Sequence, residues 1–262
     1  DGWYAKGNEI DKGKWFTWSW GQGKNPGEVD EDFAGLYADY TFDEPHGWMA
    51  RDAHGATWGY LVNAPEFRPD GNGMVLALDG KSQFVELPPD VADFRQATYT
   101  VSFNWDGKSD GARLFEFAGE NGDVVSLTPS SNGKMVFVIR MDGKSESLTA
   151  PAPPAGKAVD VRVVLDAPDA ILQINGRTVA ESRAMTLRPE SVRATRCHLG
   201  RGASGGWFGG SITRFTVHSI PLVDKVPPSP DPAAFELEPS FVSPGTLYMI
   251  AAKGEDPLGG VE

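Results

Sequence analysis

The chain has one cysteine in 262 residues. Cys197 cannot form an internal disulfide. It lies in an apparent strand, Thr195 to Leu199, with no His/Asp arrangement beside it, and so reads as a small buried hydrophobe and not a nucleophile. No run approaches the ~18 consecutive apolar residues that a membrane span needs. Basic residues are the minority, 24 against 36 acidic, for a formal net charge of −12. That balance argues against nucleic acid as a partner, because phosphate binding needs a basic face. An acidic surface suits solubility, or carboxylates gathered around Ca²⁺. No long helical period appears anywhere. There is no Ser/His/Asp arrangement, no zinc spacing among His46, His54, His198 and His218, and no phosphate-cradling loop; Gly200-Arg201-Gly202 lacks the strand–helix context such a loop needs.

What is present is strand grammar. The chain holds 31 Gly, 20 Pro and 8 Trp, with hydrophobic content of 40%, enough for a packed core. Short alternating runs fall at 36–42, 74–79, 83–87, 98–105, 113–118, 123–128, 134–141, 144–149, 158–165, 169–174, 177–181, 195–199 and 208–218. Turn pairs punctuate them: Asp79-Gly80, Asp106-Gly107, Asn121-Gly122, Asn132-Gly133, Asp142-Gly143 and Asn175-Gly176. Asn-Gly and Asp-Gly supply the positive φ angles of tight hairpins. The segment Val75 to Pro88 is expected to form one such hairpin around Asp79-Gly80. Tyr99, Val101, Phe103 and Trp105 share one strand face; Met135, Phe137 and Ile139 share another, and Val161, Val163 and Leu165 a third. These faces are the predicted core between two sheets. Asp90 to Phe94 reads as a single helical turn.

The ends read differently. Residues 1–35 form an aromatic-rich lead-in in which Phe16, Trp18 and Trp20 alternate with polar residues, a strand suited to docking on a sheet. Residues 225–239 form a stiff linker around Pro227, Pro228, Pro230 and Pro232. Residues 240–262 alternate again and are expected to open a further module. The absence of an initial Met and the break at Glu262 suggest a segment of a longer protein.

Leu36 to Gly47, containing Phe42-Asp43-Glu44, followed by Arg51-Asp52-Ala53-His54-Gly55, resembles the opening of laminin-G-like (concanavalin-A-like) jelly-roll domains. Thr98 to Trp105 is similar to their central strand, and Gly206 to His218 to their closing strand, with Ile220-Pro221-Leu222 as the exit. The resemblance covers residues 36–224. It implies an all-β, two-sheet antiparallel jelly-roll sandwich, in a large secreted bacterial multidomain protein. The segment from residue 240 resembles the start of an immunoglobulin- or fibronectin-type module. One departure stands out: many relatives read Ile-Asp-Glu in the closing strand, where this chain has Ile212-Thr213-Arg214.

The resemblance implies a structural Ca²⁺ ion, with Asp43, Glu44 and Asp52 in the matching opening and Asp79 at the turn as candidate ligands. The alternative is that Asp43 and Asp52 satisfy turn amides. Sugar recognition needs flat rings with polar partners. Trp48, Trp58, Tyr60 and Trp207 sit in Gly-rich, loop-like sequence and are the candidate ligand contacts, with Trp207 the expected most exposed ring; the alternative is that they cap the core. Gly7 to Lys14 resembles the Glu-x-Asp-x-x-Glu strand of laminarinase-type hydrolases, but Lys14 takes the third acidic position, which removes a carboxylate the chemistry needs. The expected function is a non-catalytic carbohydrate-binding or adhesion module, with a polysaccharide or glycoprotein glycan and the neighbouring domains as partners. The alternatives are a spacer domain without a sugar site, and a jelly-roll glycoside hydrolase or polysaccharide lyase.

Overall fold

The computed structural model describes residues 35–222 apart from Pro45, Ala56 and Asn72. The lead-in up to residue 34, the proline-rich linker and the segment 240–262 lie outside the described residues. In chain order the strands are β1 (Leu36–Tyr40), β2 (Met49–Ala50), β3 (Gly59–Val62), β4 (Glu66–Asp70), β5 (Gly73–Asp79), β6 (Phe84–Leu87), β7 (Ala97–Trp105), β8 (Phe115–Ala118), β9 (Val124–Ser131), β10 (Lys134–Met141), β11 (Lys144–Pro151), β12 (Ala158–Asp166), β13 (Asp169–Ile174), β14 (Arg177–Ser182), β15 (Arg196–Leu199) and β16 (Gly209–His218). Single 3-10 turns at Pro89–Ala92 and Pro189–Val192 join them; the first overlaps the helical turn expected at Asp90 to Phe94.

The strands form two antiparallel eight-stranded sheets packed as a sandwich. The first runs β14-β13-β12-β7-β16-β5-β4, with β1 also paired to β16; the second runs β11-β10-β9-β8-β15-β6-β3-β2. Alternation decides which half of each strand is buried. In the second sheet the register aligns Leu61, Val85, Leu199, Phe115, Leu127, Phe137 and Leu148 in one inward row. All three strand faces predicted to be core are in the core cluster, where Tyr99 packs against Phe115 and Phe117. Cys197 is buried among them, and burial pushes its thiol up to about 12.

Four turn pairs, at Asn121, Asn132, Asp142 and Asn175 with the glycine after each, take positive φ at both residues. This is the geometry that matches the strand twist in two-residue hairpins. The Asp79-Gly80 turn does not behave this way. Only Gly80 has positive φ, and β5 and β6 belong to different sheets, so the expected hairpin is instead an arch between layers. The Asp79 carboxylate accepts the amides of Lys81, Ser82 and Gln83, which steers the chain across the sandwich.

The chain enters and leaves at one place. The Ser219 amide donates to the Gly35 carbonyl at 2.8 Å, and the Thr98 hydroxyl accepts the Leu222 amide at 2.8 Å. Both contacts are made by the first sheet, so the outward face of the second sheet is the layer opposite.

Candidate functional site

The alternate positions of the second sheet that are not core point outward. The register places Tyr60, Glu86, His198, Glu116 and Ser126 side by side on β3, β6, β15, β8 and β9. Four interstrand spacings make this row about 19 Å long. At its β3 end the rings are bare: Trp48 is 66% exposed, Tyr60 54% and Trp58 44%. The Trp48 and Tyr60 rings stack with centroids 5.9 Å apart. The inward-facing neighbour of Tyr60 is Gly59, where a Cβ would approach a Val85 methyl to 2.8 Å, so the sheet packs closely on its core side there.

Further along, the face is built from charge pairs. Arg113 Nε donates to Glu116 Oε2 at 3.0 Å, and its Nη1 donates to the Gly111 carbonyl at 2.7 Å and the Thr128 hydroxyl at 2.9 Å. The other Glu116 oxygen accepts the Ala203 amide at 2.6 Å, anchoring the glycine-rich loop 200–206 onto the sheet. A side chain at Gly202 would meet the Gly205 carbonyl at 2.7 Å, so close approach there demands glycine. This loop sets the Arg201 guanidinium 4.7 Å from the Phe84 ring and 4.6 Å from the Trp207 ring. His198 is 6% exposed and its Nδ1 makes no hydrogen bond among the described residues. Burial, with Arg201 and then Arg196 adding positive charge, lowers its pKa to about 4, so the ring is neutral at pH 7.

Trp48, Trp58 and Tyr60 are therefore solvent-facing aromatics, but Tyr60 sits on a strand and not in a loop. The sequence pattern missed β2, β3 and β4 altogether. Trp207 departs from expectation: it is half-buried, because Arg201 and Phe84 pack against it. Glu86, Arg113, Glu116 and Arg201 were not singled out beforehand. The available signal was a lone polar residue between core positions, as in Phe115-Glu116-Phe117 and Cys197-His198-Leu199.

The candidate calcium ligands are spread across separate roles. Asp43 is exposed and accepts the Thr41 hydroxyl at 2.7 Å. Glu44 accepts the Arg51 amide at 2.7 Å, and its other oxygen is buried without a hydrogen-bond partner among the described residues. Asp52 accepts the amides of Asp39, His54 and Thr57. Asp79 caps its turn, and those amides hold its carboxyl down at about 2 despite the opposing cost of desolvation. No group of three or more His, Cys, Asp or Glu among the described residues is placed to hold a metal ion. Arg214 has a different role from the acid found there in many relatives of the resembled family. Its Nε and Nη2 grip both Asp39 oxygens at 2.8 Å on the first sheet.

A glycosidase pair needs one carboxyl free to give a proton. Glu116 has both oxygens committed to Arg113 and Ala203, which leaves it a structural charge.

No protein-family profile matches the chain, and no curated protein matches its sequence. Solved structures do match. Domain 4 of AbnA, a GH43 extracellular arabinanase from Geobacillus stearothermophilus solved with arabinotriose, superposes with TM-score 0.63 at 17% identity, over 72% of this chain and 95% of that one. A Trypanosoma rangeli sialidase solved with the inhibitor DANA matches with TM-score 0.56 at 13% identity, over 72% of this chain and 31% of that one. The chain is a β-sandwich of the kind found in carbohydrate-active proteins. At these identities the likeness is one of fold, and it reaches the sandwich class without singling out the laminin-G family. No helix among the described residues is long and apolar enough to cross a membrane.

Proposed function

We propose that this sandwich is a non-catalytic glycan-binding module of a larger secreted or cell-surface protein, and that the ligand lies on the outward face of the second sheet. The observation that carries the reading is the stacked, solvent-exposed Trp48–Tyr60 pair opening onto a row of polar side chains. Rings of this kind offer a flat apolar surface to the C–H face of a sugar, while carboxylates and guanidinium groups meet its hydroxyls. Exposing two large aromatics is a hydration cost that binding would offset.

The test is binding to an oligosaccharide array and by calorimetry, with Trp48→Ala and Tyr60→Ala beside the parent chain. Each substitution is expected to weaken binding by roughly tenfold, the scale of one aromatic contact. Because both rings are exposed, the melting temperature should stay put. Unaltered affinity in the double variant, or silence of the parent chain towards every sugar, would count against the site and leave the spacer reading.

A further inference from the structure

The ionic side chains on this face divide into committed and uncommitted. Arg113 and Glu116 are bonded to each other, and Glu116 is also bonded to the loop. Arg201 donates through Nε to the Gly202 carbonyl at 2.9 Å and through Nη2 to the Ala203 carbonyl at 3.2 Å, so the edge that would grip an anion side-on is occupied. Glu86 and Arg196 differ. Both are exposed, and neither side chain has a hydrogen bond or an ion pair among the described residues. Alternation puts both outward, since Val85, Leu87 and Cys197 beside them are core.

Their placement is defined by register. Glu86 pairs with Tyr60 on one side and His198 on the other, and Arg196 lies two residues before His198 on β15. Glu86 and Arg196 are thus diagonal neighbours, about 7–8 Å apart at the backbone and within reach of long side chains. Yet they do not form a salt bridge. Arg196 is close enough to His198 for its charge to act on the ring. An acceptor and a donor of opposite charge stand next to an exposed aromatic platform, each with its hydrogen-bonding capacity unused.

We infer that Glu86 and Arg196 are the pair that reads the ligand, and that they select an uncharged sugar through neighbouring hydroxyls. This rests on the glycan-binding reading. A hydroxyl both donates and accepts, so a vicinal pair satisfies the carboxylate and the guanidinium together. A sugar bearing a carboxylate would gain at Arg196 and be repelled at Glu86, where it has no proton to donate. The Tyr60 ring holds the apolar face, and the charged pair fixes orientation. Charge-assisted hydrogen bonds are the stronger kind, so this pair and not the committed arginines sets specificity.

The experiment is calorimetric titration with neutral arabino-, xylo- and gluco-oligosaccharides and with sialyllactose and oligogalacturonides. A neutral probe is expected to bind, with the acidic probes at least about tenfold weaker, and with affinity nearly constant between low and high salt. Glu86→Gln and Arg196→Gln are each expected to weaken the neutral probe by about tenfold, with no change in melting temperature. Tighter binding of an acidic probe would overturn the inference and leave the module a glycan binder. So would parental affinity in both variants when Tyr60→Ala has lost binding. If no sugar binds the parent chain, the glycan reading falls and the inference with it.

Discussion

The two outward faces of the sandwich are made by the same rule and differ in what the rule leaves over. On the first sheet the outward positions of β7 are Thr98, Thr100, Ser102 and Asn104, short side chains within a paired surface. Ser102 donates to Asp160 on β12, and Arg214 is clasped by Asp39. The described segment also begins and ends against the first sheet, at Gly35 and Leu222. On the second sheet the outward positions include Tyr60, Glu86, His198, Glu116 and Arg196, with Trp48 stacked alongside. Both faces cover equally apolar interiors, so stability does not require the rings and free charges of the second. The comparison separates residues that hold the sandwich together from residues available to a ligand.

Glu116 marks where those two roles meet, and altering it is expected to have the largest effect. Glu116→Gln removes the charge partner of Arg113 and weakens the Ala203 anchor, so a loss of about 1–3 kcal/mol is expected by urea denaturation. Loop 200–206 should loosen, and glycan affinity should fall with it. Arg214→Gln on the first sheet is the contrasting change: it should lower stability through Asp39 and leave affinity alone. Equal loss of binding in both variants would erase the distinction between the faces.

A smaller effect is expected from pH. The folded His198 ring protonates only near pH 4, whereas an unfolded histidine does so near its ordinary value of 6.5. Between those values the unfolded chain binds more protons. The contribution of His198 is therefore fully present above pH 6.5 and is lost as pH falls towards about 4. Denaturation curves across that window should show a slope that is reduced in His198→Gln. An identical slope would mean the ring is not held neutral. Chelation is expected to do least. Asp52 and Asp79 already accept backbone amides, so EDTA should leave the melting temperature unchanged; a marked drop would reveal a metal site outside this account.

The sequence made the interior readable because alternation and Asn-Gly turns act locally. Val101 between Thr100 and Ser102 needs no knowledge of its partners to be assigned inward. Strands β2 to β4 are hidden because β2 has two residues, β3 has four, and β4 contains Pro69 and exposed polar residues that break the alternation. The turn at Asp79-Gly80 carried hairpin wording, but only the tertiary fold decides whether a turn closes within a layer or crosses between layers. The site followed the same division. Aromatics at 48, 58 and 60 could be nominated from composition, whereas the row from Tyr60 to Ser126 joins five strands from distant parts of the chain. The carboxylates nominated for calcium do not gather into one group among the described residues, and Asp52 and Asp79 each accept backbone amides.

The central claim, that the outward face of the second sheet is the binding surface, is tested most directly by mapping amide shifts in isotope-labelled protein during titration with a bound oligosaccharide. The expected shifts cluster at Trp48, Tyr60, Glu86, Arg196 and His198, with β7 and β12 silent. Shifts concentrated on Thr100, Ser102, Asp160 and Arg214 would place the ligand on the opposite sheet and contradict the account.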